Sequence, residues 1–393
     1  MVDGLQRTRC SRCALPSNLR NIEFDRNGIC NYCHNHDEYI EKFRRFSLAK
    51  RNFLDQVGAN RGKYQYDCAA GLSGGLDSTY VLYKLVRDYN LKVLAITYDN
   101  GFQSEVAKEY IKNIVDDLKI DHVTITYDDR EQHYQLYKEA AIQVGRACTA
   151  CSFHGLNMQR YCFDHKIPFF VHGRSRPQML REISEYTFDP YLPLYAINYR
   201  PFNFSEYMQL TKSALKKINL IMKRLIKDPE ARQGFVSKYF VDPVECEKQQ
   251  FVPQFIAFFL MQDYDDNKIN HFFKKNVLKD MDKKLKKHHH DDCLAHPAFM
   301  YIYKQAFGWS LLEWELAFDV REGKISRDHA IELIENDTMV QEIPKESFNL
   351  VCSKMNISRQ DLLGGLVIAK RNIKMHTKLM EIKSFFKIRS FKI

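Results

Sequence analysis

Residues 68–90, CAAGLSGGLDSTYVLYKLVRDYN, constrain the fold more than any other stretch of this chain. The short apolar run CAAGL reads as a strand end, and Tyr80, Val81 and Leu85 then follow at helical spacing. Between them, Ser73-Gly74-Gly75-Leu76-Asp77-Ser78 combines two adjacent glycines with two hydroxyl side chains. Glycines lack a Cβ, so backbone amides there can approach an oxyanion closely. The helix that follows adds the positive end of its dipole. A glycine turn with a Ser N-cap would also close such a β–α unit. Strand before, helix after and Asp77-Ser78 at the helix start favour a phosphate cradle. It is not a Walker A loop, because G-x-x-x-x-G-K-[ST] is absent.

The same alternation continues from about Tyr66 to Tyr195. CAAGL, LKVLAITY, DHVTITY and IPFFVHG read as four strands, with helical patterns over 79–90, 104–118 and 132–145. This predicts an α/β fold with a mostly parallel sheet and crossover helices. Ligands of such sheets bind beyond the carboxyl ends of the strands. Ser73–Ser78, Asp99-Asn100-Gly101 and Gly173-Arg174-Ser175 each follow a strand and are expected to meet at one cleft. From Pro201 onward the strand signals fade, and helical patterns rich in aromatic and lysine residues take over. The chain therefore divides into a cysteine-bearing segment at 1–40, a helical linker at 41–60, the sheet domain at 61–200 and a mainly helical domain at 201–393.

Cys10-x-x-Cys13 and Cys30-x-x-Cys33 are separated by sixteen intervening residues. Each C-x-x-C can wrap a tight knuckle, and two knuckles can share one tetrahedral ion. The intervening IEFDRNGIC alternates like a strand and carries an Asn-Gly turn, as in a small zinc ribbon. Four thiolates close the coordination shell, so the expected Zn²⁺ is structural. Cys148 and Cys151 form a further C-x-x-C in GRACTACSFHG. They read as a second metal site with Cys162 or His154, as a redox or sulfur-carrying pair, or as buried packing residues.

The run His288-His289-His290-Asp291-Asp292 reads as a solvated loop, since consecutive residues cannot all face one ion. The histidines at 122, 165 and 172 read as hydrogen-bonded structural residues, with His172 alone facing the cleft. A chain of 393 residues with 45% apolar side chains can build two or three domains. No apolar run reaches the ~18 residues of a membrane span, and MVDGLQRTRCSRC has no signal-peptide core. A cytoplasmic location is the expectation, and eleven cysteines there argue for metal or chemistry rather than disulfides. The net charge of +10 suits an anionic substrate or a solvated helix face equally. No nucleic-acid-binding signature accompanies it.

Ser-Gly-Gly-x-Asp-Ser resembles the pyrophosphate-binding loop of the ATP pyrophosphatases, also called PP-loop enzymes. RCSRCALPSNLRNIEFDRNGICNYC, SGGLDSTYVLYKL, LKVLAITYDNGF and the C-x-x-C at 148–151 are similar, in that order, to segments of the N-acetyl sugar amidotransferases. So is Val320-Arg321-Glu322-Gly323 with Arg327 and Ala330. The resemblance implies an adenine nucleotide alpha-hydrolase-like domain and an ATP-dependent enzyme. An acetamido oxygen of an N-acetylated sugar or nucleotide sugar would be adenylated, and ammonia would displace AMP to leave an acetamidino group. Such sugars belong to surface-polysaccharide and nonulosonic-acid biosynthesis. No glutaminase nucleophile is recognisable, which implies a separate glutaminase subunit or free ammonia.

The resemblance gives the cleft residues their expected roles. Ser73, Gly74, Gly75 and Ser78 bind pyrophosphate. Asp77 either caps the helix or holds Mg²⁺, and Arg174, Arg176 and the metal are the candidates to neutralise phosphate charge. Tyr98, Asp99, Asn100 and Gly173 border the adenosine, where the alternative for 98–101 is an ordinary Asn-Gly turn. Two departures stand out: Leu76 where some relatives carry lysine, and Arg174 where an acidic residue is expected after the fourth strand. The competing reading is a PP-loop sulfurtransferase that thiolates a nucleobase or small molecule through Cys148 and Cys151.

Overall fold

A computed structural model describes residues 8–19, 22–36, 45–175, 177–178, 202–276 and 292–387. The chain forms two compact units. One comprises Glu38–Arg130 and Cys151–Leu294; the other comprises Met1–Asp37, Glu131–Ala150 and Ala295–Ile393.

The first unit is built on a five-stranded, wholly parallel sheet of β1 (Cys68–Gly71), β2 (Val93–Tyr98), β3 (His122–Ile125), β4 (Phe169–His172) and β5 (Gln254–Ala257). Their spatial order is β3-β2-β1-β4-β5. All four strands expected from the sequence are present. The central β2, VLAITY, is buried at every position, as a strand covered on both faces must be. The fifth strand lies inside the region read as mainly helical. VPQFIAFFL is a short apolar run, which periodicity alone cannot assign to strand or buried helix.

Helix α1 (Leu76–Tyr83) follows β1 and runs into a π-helical turn at Lys84–Asp88. It begins three residues before the helix read from periodicity, because Gly75 is the N-cap. Helix α2 (Glu105–Leu118) follows β2; the Ser104 hydroxyl accepts from the Ala107 amide, and Lys119 ends it at φ 53°. Its Ala107, Tyr110, Ile111, Ile114 and Leu118 make one buried stripe. The preceding helix Phe46–Asn60 packs Phe53 and Val57 into the same core, with Phe53 edge-on to Phe169 at 5.7 Å. Helix α3 (Thr149–Asp164) leads into β4, and α4 (Phe204–Leu225) opens with an Asn203/Glu206 capping box.

The second unit contains the cysteine segment and helices from the C-terminal part. Short bridges pair Arg9 with Pro16 and Phe24 with Cys30. Asp25 and Gly28 form the expected turn, with Gly28 at φ 75° and the Asp25 carboxylate accepting the Asn27 and Ile29 amides. Gly145 has φ 76°, and a Cβ there would meet Ala306 at 2.5 Å, so only glycine fits against that helix. Helices α5 (Leu311–Arg321) and α6 (Arg327–Glu335) follow later in this unit. Among the described residues no helix is long and apolar enough to cross a membrane.

Candidate functional site

Strand order reverses between β1 and β4, so the crevice beyond their carboxyl ends is the topological switch point of the sheet. Two of the loops singled out from the sequence meet there. A Cβ on Gly173 would lie 3.1 Å from Val81 and 3.4 Å from the Asp77 carbonyl. The loop after β4 thus runs directly against the start of α1.

The loop after β1 owes its shape to Gly74. Its φ is +86°, and a Cβ would stand 2.7 Å from the Ala107 carbonyl oxygen of α2. No other residue combines that backbone angle with that contact. Inside the turn, Ser73 and Ser78 face each other, Oγ to Oγ, at 3.2 Å. The Ser78 hydroxyl donates to the Gly75 carbonyl and accepts from the Ser73 amide, while the Gly75 amide donates to Ser73 Oγ. Thr79, fully buried, donates its hydroxyl to the same carbonyl at 2.8 Å. Ser73 is exposed and Ser78 half-buried, so the two hydroxyls stand at a helix N-terminus open to solvent on the Ser73 side. Such an array can bind an anion.

Asp77 lies in the first turn of α1 and is not its N-cap, which removes one of its two expected roles. Its carboxylate accepts from the Tyr264 hydroxyl at 3.0 Å, a partner supplied by the chain beyond β5.

After β2 the backbone turns at Gly101, with φ +78°. The Asn-Gly turn read as the alternative for this segment is present at the end of β2. Asp99 accepts from the Gly101 amide at 2.9 Å and pairs with Arg130 at 2.5 Å. Burial pushes the Asp99 carboxyl up, but Arg130 and the Gly101 amide outweigh it and hold the group below the usual carboxylate range. Asn100 accepts from the Phe102 amide and approaches Cys293 Sγ at 3.7 Å. Both side chains are therefore engaged, within their own turn and with Arg130 or Cys293. Tyr98 points into the core, stacked on His154 at 3.7 Å and edge-on to Tyr127, and only its backbone reaches the strand end.

The Arg174 amide donates to His172 Nδ1 at 3.4 Å. Burial, and then the Arg174 charge, push His172 down to about 3, so its ring is neutral at pH 7 and offers no cationic charge to phosphate. His122 accepts or donates to Thr97 at 2.8 Å as a structural residue, and His165 contacts the Tyr161 carbonyl one turn back.

Three contributors were not legible in the sequence. Arg130 had only its place just after β3 as a signal. Tyr264 had none. The third is Asp292–Leu294, which pairs along the loop after β2: Ser104 donates to the Asp292 carbonyl and Leu294 to the Phe102 carbonyl. This brings the Asp292 carboxylate to 3.5 Å from where a Gly75 Cβ would be. His288–Asp291 of the solvated-loop reading, and Arg176, lie outside the described residues.

The cysteine centre sits in the other unit. Cys10, Cys13, Cys30 and Cys33 are all buried, and their sulfurs lie within 4.8 Å of one another. Cys10 and Cys33 are 3.8 Å apart and Cys13 and Cys30 3.6 Å. A disulfide would need about 2.05 Å. A tetrahedron with metal–sulfur bonds of about 2.3 Å has edges of about 3.8 Å, so the four thiols fit one Zn²⁺-sized ion. The Arg12 and Cys30 amides point at Cys10 Sγ from 3.4 and 3.3 Å, as knuckle amides do toward a thiolate. This is the only group of three or more metal-type side chains among the described residues. Cys148 and Cys151 belong to no such group and are each half-buried, Cys162 is fully buried, and His154 is stacked on Tyr98. Full burial does not describe the 148–151 pair.

Residues 298–384 match the family model described as LPS biosynthesis protein WbpG-like, C-terminal domain. Residues 68–152, which hold the β1 loop, match queuosine biosynthesis protein QueC. Among solved structures, the chain is similar to the U34-tRNA thiolase NcsA from Methanococcus maripaludis with its 4Fe-4S cluster. Identity is 14% over 84% of this chain and 89% of that one, with a TM-score of 0.33. NMN synthetase from Francisella tularensis is similar at 12% identity over 61% of this chain and 98% of that one, with a TM-score of 0.25. No curated protein matches the sequence.

Proposed function

We propose, from the premise that this chain is an N-acetyl sugar amidotransferase-like PP-loop protein, that it converts an acetamido group of a sugar into an acetamidino group at the expense of ATP. The observation that carries this reading is the Gly74 turn at the switch point, which gathers the Ser73 and Ser78 hydroxyls at the start of α1, with Ser73 exposed. In the first step the acetamido oxygen attacks the α-phosphorus of ATP, and pyrophosphate leaves. In the second, ammonia adds to the imidate carbon and AMP departs, leaving a protonated amidine.

Ser73, Gly74, Gly75 and Ser78 would hold the departing pyrophosphate through amides and hydroxyls that exchange their bonds within the turn for phosphate oxygens, at the positive end of the α1 dipole. Bound Mg²⁺ would supply further neutralisation of phosphate charge, with Asp77 as its protein ligand. Tyr264 orients that carboxylate. Arg174 would face the phosphates from the adjoining loop, supplying the cation that Leu76 lacks. The backbone of 98–101 and Gly173 would border the adenosine, with Arg130 fixing the Asp99 turn. The cysteine centre would hold a structural Zn²⁺. The acceptor class, a sugar of surface polysaccharide or nonulosonic acid, rests on the WbpG-like match, with ammonia arriving free or from a separate glutaminase.

One observation favours the second reading, thiolation: Cys148 and Cys151 are half-buried rather than sealed in the core or gathered into a metal cluster. The two readings separate in one assay. Protein, ATP, Mg²⁺, ammonia and N-acetylated sugars should yield AMP, pyrophosphate and a product lighter by about one mass unit, as oxygen is exchanged for NH through the adenylate. Serine at 148 or 151 should leave that product unchanged. Formation of ADP would refute both readings, and a wild-type persulfide with turnover lost in the serine variants would select thiolation.

A further inference from the structure

The pattern Val320-Arg321-Glu322-Gly323 with Arg327 and Ala330 lies some three hundred residues from the cysteines, yet it meets them within one compact unit. Helix α5 opens with a capping box in which Ser310 Oγ accepts from the Glu313 amide and Glu313 Oε1 from the Ser310 amide. The fully buried Glu313 carboxylate is held by Arg9 at 2.8 Å and Lys304 at 2.7 Å. Two cations explain how it remains charged without water.

At the other end of α5, Arg321 is buried and donates through Nη1 to Cys13 Sγ at 3.3 Å. The faces of Trp314 and Phe318 flank its guanidinium, each 5.8 Å away, and Tyr32 closes edge-on against Trp314 at 5.3 Å. The chain then turns at Gly323, with φ +72°, and Ser326 caps α6 by accepting the His329 amide. Arg327 Nε donates to the Cys10 carbonyl at 3.0 Å, and His36 pairs with Glu322 at 3.2 Å. Ala330, fully buried, allows α6 to close on α5 beside Leu316. Two arginines therefore grip the first knuckle, one at the sulfur of Cys13 and one at the backbone of Cys10.

Four thiolates around a divalent ion carry a net charge of −2, which is costly to enclose in a protein interior. A guanidinium fixed beside one sulfur offsets half of it and orients that ligand. Partners of this kind commonly change metal affinity by 10–100-fold. We propose that Arg321 is the positioning and charge-compensating residue of the cysteine centre, and that α5 and α6 form one metal-dependent folding unit with the ribbon. The inference is independent of the reaction proposed above.

The test uses the full-length, reduced protein loaded with zinc. Zinc release to a chromophoric chelator is timed without denaturant for wild type, Arg321→Met, Arg321→Lys and Arg12→Met. Arg12 is an exposed arginine on the same knuckle and serves as the control. Arg321→Met should release zinc at least tenfold faster, Arg321→Lys should fall between, and Arg12→Met should match wild type. In parallel, hydrogen exchange of 311–335 is compared in loaded and chelator-stripped wild type, and stripping should raise exchange there. Should Arg321→Met fail to fold, the lysine variant and the wild-type exchange experiment decide. Release at the wild-type rate from folded variants would overturn the proposal, since a merely structural arginine would lower thermal stability without changing it. Unchanged protection of 311–335 after stripping, or reduced protein that takes up no zinc, would overturn it equally.

Discussion

The β1 loop and the cysteine ribbon solve opposite problems with similarly short motifs. In the ribbon every donor converges inward: the four thiols are buried and two arginines cover the first knuckle from outside. In the loop the donors are bonded to one another at a surface where Ser73 is exposed, while Gly74 is locked against α2 from behind. A closed donor set stores folding energy, because the bonds to one ion are what draw the two knuckles together. An open, preorganised set costs stability locally and is useful only to a molecule that arrives from solution. The difference teaches where to look for chemistry in this chain, and it separates what mutation should break in each place.

The sharpest way to break the contrast is at the ribbon. Cys30→Ser should abolish zinc binding, measured by metal analysis, and shift tryptophan emission to the red. Both tryptophans, Trp309 and Trp314, are buried in the ribbon-bearing unit, so this signal reports that unit alone. ATP-dependent AMP formation that also vanished, with the far-ultraviolet signal of the sheet lost, would erase the distinction between a structural centre and a reactive cleft.

Next in size is Gly74→Ala. The left-handed angle and the 2.7 Å backbone contact together demand displacement of the loop, at about 1–3 kcal/mol of strain. AMP formation should fall to background while zinc content stays at wild type. An alanine variant with normal turnover would mean the turn is not the anion cradle.

Ser73→Ala and Asp77→Ala should each lower AMP formation by a factor of tens, about 2 kcal/mol of transition-state stabilisation, with unchanged tryptophan emission. Tyr264→Phe should reproduce a milder form of the Asp77 defect, since only the orienting hydroxyl is removed. Equal turnover in Asp77→Ala and wild type over a range of Mg²⁺ concentrations would discard Asp77 as the metal ligand.

The smallest effect belongs to Asp99 and Arg130. The carboxyl is depressed in the folded protein, so its contribution to stability is present above its unfolded value and is lost as pH falls through the folded one. The pair is a third exposed, which limits it to below about 1 kcal/mol. Asp99→Asn should flatten the acid limb of a stability–pH curve slightly and raise the KM for ATP more than it lowers kcat. A steep loss of kcat alone would place Asp99 in the chemistry instead.

Much of this molecule was readable locally. The four strands, the start of the Gly74 turn and both knuckles depend on residues within a few positions of one another, where alternation, glycine placement and C-x-x-C spacing act directly. The reading of Asp77 as a helix cap failed because Gly75 takes that place, and Asp77-Ser78 fit a first turn as well as a cap. The half-buried state of Cys148 and Cys151 was likewise open, since burial of a C-x-x-C depends on what packs over it.

The class of fold and the two donor motifs are written in short-range periodicity and in residue types with few alternative uses. Only the tertiary structure decided the fifth strand, the switch point between β1 and β4, and the long-range partners Tyr264 for Asp77, Arg130 for Asp99, and Arg321 for Cys13. A tyrosine or arginine in a helical or loop segment carries no mark of the group it will meet. Those pairings follow from parallel strand order and from the packing of elements distant in sequence, which local pattern does not encode.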